Sequence, residues 1–294
     1  MTTIAAVLTV SAILLYTGQG FFNKLFSISH PGRPVDVTPA FNILYGGFVA
    51  AGTLIYSGFS LRPDWISLAL GLINGAALFF YNESSIHAAQ SGPYTLQSMM
   101  ISFGGILPPM AVSLTLWGDR LTWVQALGIA LMLAAFALYN FQGGKEKKQR
   151  IKGLFWFFMV FAANGVFTIL TDAHQRLETG AHRNDFIFIT FITAALISAA
   201  SLLLSKNQGA RQAFRMPGKA LAFALLSSLC ATVAIHVQLV ALNHVPSSLL
   251  YPIENGGLLV AHTLLSVAIL KEKPRPVQYL GIAAAVAGLV LTNL

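Results

Sequence analysis

Apolar runs of near-spanning length alternate with short polar or Pro/Gly breaks along the whole chain. Ten such runs are read: Ile4 to Ser27, Val37 to Phe59, Trp65 to Ala88, Pro93 to Trp117, Trp123 to Phe141, Leu154 to Thr171, Phe186 to Leu204, Ala220 to Leu242, Ser247 to Leu270 and Val277 to Leu291. A hydrocarbon core of about 30 Å takes about 20 helical residues to cross, which most of these runs approach. Helices are the reading, because an open strand leaves backbone groups unsatisfied in lipid. The expected fold class is an all-α integral membrane protein with ten transmembrane helices. The fifth and tenth runs are almost wholly apolar, so they need face no cavity and are expected at the periphery.

Composition agrees: 55% of residues are hydrophobic, 10% are charged, and the mean hydropathy is +0.68, whereas a soluble domain carries about 25% charged residues. The first run lacks a basic leading segment and exceeds a signal-peptide core, so it is read as a first span. The single cysteine, Cys230, excludes an intramolecular disulfide and a Cys-based metal cluster. No metal and no cofactor are expected.

The net charge of +8 would fit nucleic acid, but its placement fits a membrane better. Most Lys and Arg lie in alternate loops beginning after the first run, including the KEKKQRIK segment. The opposite loops hold only Arg62, Arg120, Arg176 and Arg183. The positive-inside rule then puts the basic linker in the cytoplasm and both termini outside. The expected partners are a lipid bilayer and a small-molecule substrate, with no nucleic acid, in a monomer or homodimer. A bacterial plasma membrane is the expected location.

The chain also repeats itself. Trp117-Gly118-Asp119-Arg120-Leu121 with Gln125 and Gly128 aligns with Leu270-Lys271-Glu272-Lys273-Pro274 with Gln278 and Gly281, and Pro93, Gly104 and Asn140 fall on Pro246, Gly257 and Asn293. Nearer the start of each half, Gln19-Gly20 falls on Asn164-Gly165 and Phe22 on Phe167. Residues 1–144 and 153–294 are therefore read as two five-helix repeats joined by a basic linker at 145–152. An odd number of spans per repeat forces the second copy to enter the membrane the other way round, an inverted design found in alternating-access transporters.

Two five-span repeats, each ending in an acidic turn and a Gln-x-x-Gly helix, resemble the EamA type of the drug/metabolite transporter superfamily. The resemblance implies a central cavity lined by spans 1–4 and 6–9, with spans 5 and 10 outside. Asp119, Lys271, His262 and Tyr16 depart from its usual residues.

Polar residues inside apolar runs are the candidate chemistry, since an acid at membrane depth is costly unless it faces a protein interior or a wet cavity. Glu254 and Asn255 lie between Pro252 and Gly256-Gly257; a solute or proton site is read here, and a protonated Glu capping a kink made by Pro252 and the glycines is the alternative. Glu83, His87 and Gln90 share a helical face in the third run, with Asn82 adjacent. Glu83 aligns through the repeat with His236. Glu254, Glu83 and His236 are the proton-coupling candidates, because burial and partners bring such groups near neutral pH. Substrate-binding candidates are Glu83, Asn82, Glu254, Asn255 and His236, the amides Gln19, Gln97 and Asn164, and the aromatic walls Tyr81, Tyr94 and Tyr251. Each has a structural alternative, since small and amide residues also fasten membrane helices together.

No Lys or Arg is read at depth except Lys24 near the end of the first run, which argues against phosphorylated substrates. The expected function is secondary active transport of a small organic metabolite, such as an amino acid, organic cation or nucleobase-like solute, with protons as a candidate coupling ion. The alternatives are a lipid-linked solute flippase and an intramembrane enzyme. The latter lacks any H-E-x-x-H or G-x-S-x-G pattern, so no catalytic residues are assigned.

Overall fold

The computed structural model describes residues 3–30, 32–116, 122–140, 147–178, 182–204, 215–241, 244, 247–271, 273 and 275–291, with the side chains of 35, 113, 136–137, 139–140, 147–152, 178, 239, 247–249, 251–252, 278 and 289 excluded. The described residues form helices and connections, with no strand: α1 (Thr3–Ser29), α2 (Pro34–Tyr56), α3 (Trp65–Ser91), α4 (Tyr94–Gly104), α5 (Leu107–Leu116), α6 (Trp123–Asn140), α7 (Lys147–Glu178), α8 (Arg183–Leu204), α9 (Gly218–Ala241), α10 (Ser247–Ala268) and α11 (Pro276–Leu291). Seven segments are long and apolar enough to cross a membrane, and three shorter apolar helices, Trp123–Ala135, Ile253–Ala268 and Tyr279–Gly288, accompany them.

Most helices follow the expected runs closely, with two differences. The fourth run is not one helix: α4 ends at Gly104 and α5 begins at Leu107. A Cβ on Gly104 would stand 2.5 Å from the Phe161 carbonyl oxygen, so glycine is needed for α4 to pass this close to α7. Pro108 and Pro109 then withhold the amide protons that would continue the ladder. The Asn164 side chain bonds the carbonyl of Ile101 at 2.7 Å, beside the break. Pro252 does not break α10, which runs from Ser247 through Gly256 and Gly257 to Ala268. Pro252 is the sixth residue of that helix and forgoes one intrahelical bond, to the carbonyl of residue 248, without ending the ladder. The second difference is length. α7 extends beyond the apolar run at both ends, starting inside the basic linker, because helix propensity carries past the hydrocarbon boundary.

Contacts fix two faces of the bundle. At one, the ends of α1 and α3 meet: the buried Lys24 ammonium donates to the carbonyls of Ala89 and Gly92, and Gln90 donates to the Ser27 carbonyl at 2.9 Å. The start of α7 lies at the same face, where Trp156 stacks on His87 at 3.8 Å, so this is the face of the basic linker. At the other face Asp64 caps α3 by accepting from the Ile66 and Ser67 amides, both at 3.0 Å. Bonds from the Ser67 hydroxyl and these amides hold the Asp64 carboxyl down at about 2. Beside it, the Arg62 amide donates to Asp185 at 2.7 Å and Ser67 Oγ meets His174 Nε2 at 2.8 Å.

Two apolar clusters fill the interior. One joins Phe26, Phe41, Tyr45, Ile86, Phe186 and Phe191 of α1, α2, α3 and α8 with alanines of α9. The other joins Met99, Phe103, Met132, Phe157, Leu259 and Ile282 of α4, α6, α7, α10 and α11. α6 and α11 pack chiefly on each other.

Candidate functional site

Between the clusters lies a cavity of about 260 Å³, lined by residues of α1–α4 and α7–α10 and by Gly105 at the α4–α5 break. α6 and α11 contribute no described lining residue.

The acid of the cavity is Glu254, 3% exposed. Its Oε2 accepts a 2.5 Å bond from the Gln238 amide, and Gln238 Oε1 accepts the Tyr16 hydroxyl at 2.8 Å. One chain of hydrogen bonds thus crosses α1, α9 and α10. Glu254 Oε1 is buried with no hydrogen-bond partner among the described residues. A buried carboxyl oxygen left unmatched costs about 1–3 kcal/mol, so it is a group awaiting a proton or a donor.

Amides surround it. Gln19 donates to the Tyr45 hydroxyl at 2.7 Å. Gln97 Nε2 donates to the Ser85 carbonyl at 3.1 Å and leaves its Oε1 unmatched. Asn164 and Asn255 face the α4–α5 break, within 3.5 and 3.3 Å of where a Gly105 Cβ would stand. Towards the linker face the cavity is closed by hydrogen bonds between α4 and α10: Ser98 Oγ with His262 Nδ1 at 2.7 Å, and Thr95 Oγ1 to Ser266 Oγ at 3.0 Å. Gly20 of α1 stands opposite, where a Cβ would lie 2.8 Å from the Tyr94 hydroxyl and 2.9 Å from His262 Nε2.

At the other end the wall is formed by Asn74, Thr171, Asp172, His174, Gln175 and Arg183. These belong to the face where α3 begins, α7 ends and α8 begins. Asn74 donates to Thr171 at 3.3 Å and keeps a buried, unmatched Oδ1. Tyr45, Tyr81, Phe167, Phe186 and Phe191 supply aromatic surface between the ends. Among the described residues no three His, Cys, Asp or Glu side chains stand close enough to hold a metal ion.

Of the residues singled out in the sequence, Glu254, Asn255, Gln19, Gln97, Asn164, Tyr81 and Tyr94 line this cavity. Glu83, Asn82 and His236 do not. On α3 the lining stripe runs Asn74, Leu78, Tyr81, Ser85, and Glu83 falls roughly 200° around the helix from Tyr81, half-buried and outside the cavity. Asn82 is buried on the flank with neither amide atom bonded. His236 turns towards α2, its ring 4.0 Å from that of Tyr56 and its Nδ1 bonded to the Thr232 carbonyl. The Tyr251 side chain lies outside the described residues.

Several polar lining groups were not assigned to the site from the sequence, among them Asn74, Thr171, His174, Gln175, Thr190, Gln238, His262 and Arg183. Gln238 sits in an otherwise apolar stretch of α9 with no patterned neighbour. His262 stood in the stretch around Glu254 but carries no motif. Arg183 was counted as a loop charge, although α8 begins with it and turns it to the cavity wall.

Apolar helices packed around a cavity that sets a few polar groups among aromatic walls define a multi-pass membrane protein. Residues 151–294 match the EamA-like transporter family, part of the drug/metabolite transporter superfamily. Its members are transporters rather than enzymes, so the protein is a membrane transporter of small solutes. A crystal structure described only as "Crystal structure of protein" superposes with a TM-score of 0.66 at 17% identity, covering 99% of this chain and 96% of that one. That likeness is one of fold. No curated protein matches the chain.

Proposed function

We propose that the protein is a secondary active transporter that moves a small organic metabolite by alternating access, with the cavity around Glu254 as its substrate site. The observation that carries this reading is Glu254 itself: a nearly fully buried acid, bonded on one oxygen and unmatched on the other among the described residues, facing a cavity of amide and aromatic walls inside apolar helices. Such a group is costly to keep in a membrane protein unless a solute or proton engages it.

Packing supports an inverted-repeat architecture of ten spans in two five-helix units, with α4 and α5 as one broken span. Exchanging α1 with α7, α2 with α8, α3 with α9, α4 with α10 and α6 with α11 carries the principal contacts onto one another. The α1–α9 pair becomes α7–α3, α1–α10 becomes α7–α4, and α2–α9 becomes α8–α3, while α2–α8 and α6–α11 map onto themselves. α1 ends at the linker face whereas α7 starts there, which is the reversal an inverted copy requires. The two units, residues 1–144 and 153–294, would rock about the shared cavity. By the charge bias the linker face is cytoplasmic, so this conformation is open towards the outside, in the plasma membrane of a bacterium.

The solute is an amine, amino acid or nucleobase-like ring, because unmatched acceptors on Glu254 and Gln97 call for hydrogen-bond donors. Glu254 is the proton-coupling residue. Purified protein in proteoliposomes, given amines, amino acids and nucleobases under an imposed pH gradient, should show saturable, gradient-dependent flux of one class that Glu254→Gln abolishes. Flux that does not saturate, or that ignores Glu254→Gln, overturns the reading.

A further inference from the structure

Resting on that transport reading, we infer that the open end of the cavity carries an anion subsite, in which Arg183 receives a carboxylate of the solute. Arg183 begins α8 and lines the cavity with its Nε buried and no hydrogen-bond partner among the described residues. The acids beside it are already engaged. Asp172 accepts Arg176 Nε at 2.9 Å, and Asp185 accepts the Arg62 amide at 2.7 Å and stands 3.1 Å from His182 Nδ1. Arg183 is therefore a cation on the wall that no carboxylate of the described residues bonds or ion-pairs.

A second group points to the same ligand. Thr190 lies two turns further along α8 on the same lining face as Arg183 and Ile187, 1% exposed, with a buried hydroxyl that has no partner among the described residues. A guanidinium at the entrance can only donate, and an unused hydroxyl further in can donate as well, so both suit an incoming acceptor. Burying an unpartnered hydroxyl is unfavourable in the empty protein, so its presence on the wall is explained by what fills the cavity.

The charge count selects the anion. Arg183 is the only Lys or Arg among the described lining residues, and one guanidinium offers a planar fork that matches one carboxylate bidentately. A phosphate dianion would leave a second charge unmatched against Asp172. With Glu254 deeper in the cavity, the solute is held carboxylate towards the opening and hydrogen-bond donors inward. A lone amine or neutral ring would use only the inner half.

The test is binding to purified protein in nanodiscs, by thermal shift and calorimetry, with 4-(aminomethyl)benzoate, its primary amide, benzylamine and inorganic phosphate. The aromatic ring suits the Tyr and Phe walls, and the first two compounds differ only in the anion. Wild type should prefer the carboxylate over the amide by about tenfold or more, the worth of one charge-assisted bidentate contact. Arg183→Gln should erase that preference while benzylamine still binds, which also shows that the variant is folded. Arg183→Lys should restore part of it, and Arg215→Gln, a charge-matched change away from the cavity, should not alter it. A preference that survives Arg183→Gln, a wild type with no preference, or phosphate binding tighter than the carboxylate overturns the subsite. Benzylamine binding lost in Glu254→Gln, with no carboxylate preference in wild type, removes the subsite but keeps the transport site. No binding of any compound, together with no flux, removes both.

Discussion

Glu83 and Glu254 look alike in the sequence, each an acid within an apolar run beside an asparagine, yet the structure puts them in different surroundings. Glu254 faces the cavity and is tied through Gln238 to Tyr16. Glu83 stands on the far side of α3 from the lining stripe, half-buried, with no bond among the described residues. The difference teaches that an acid's depth in a span is readable from the sequence, whereas its use depends on helix rotation and on what its neighbours offer.

The largest expected effect separates the two acids directly. Glu254→Gln should cut flux about ten- to a hundredfold, since a charged hydrogen-bond partner is worth about 1.5–3 kcal/mol; Glu83→Gln, measured in the same vesicles, should change it by no more than about twofold. Equal losses would erase the contrast. Next comes the close approach behind the site. Gly20→Ala places a methyl against Tyr94 and His262, and overpacking of about 1–3 kcal/mol should lower both the thermal midpoint and flux. A fully active Gly20→Ala protein would show that α1 does not pack there as described. Lys24→Met removes the donor shared by the Ala89 and Gly92 carbonyls, and unfolding in detergent should fall by a few degrees while Glu254-dependent binding persists.

The smallest effect lies outside the membrane. Asp64 titrates at about 2 because the Ser67 hydroxyl and the Ile66 and Ser67 amides stabilise its charged form. A carboxyl depressed on folding stabilises above its unfolded value near 4 and loses that contribution as the pH falls towards 2. The thermal midpoint of wild type should therefore exceed that of Asp64→Asn at pH 6, and the gap should narrow by pH 3. A gap that widens on acidification would mean the cap is not charged.

Much of the architecture was legible because the lipid demand for long apolar helices leaves a coarse, redundant signal. The peripheral place of the fifth and tenth runs followed from their lack of polar residues, and α6 and α11 do pack on each other away from the cavity. Local breaks were not legible. Pro252 with two glycines lies within α10 without breaking it, whereas Gly104-Gly105 followed by two prolines ends α4 in mid-run. The candidate site was legible as residue types at depth, including Glu254, Gln97 and Gln19. Gln238, the link from Glu254 to Tyr16, carried no pattern, because a single amide in an apolar helix reads equally as packing. Arg183 was hidden by its position, since a charge at a helix start belongs to the loop until the helix turns it inwards.

The most direct test of the central claim, one cavity that opens to each face in turn, is thiol accessibility in a Cys230→Ser background. Thr171→Cys reports the open end and Ser98→Cys the end closed by His262, each treated with a membrane-impermeant maleimide from either side of sealed vesicles. The expected result is labelling of Thr171→Cys only from the face where α3 begins and of Ser98→Cys only from the linker face, with a transported solute raising one as it lowers the other. Labelling of both from the same face, or rates that ignore the solute, would contradict it.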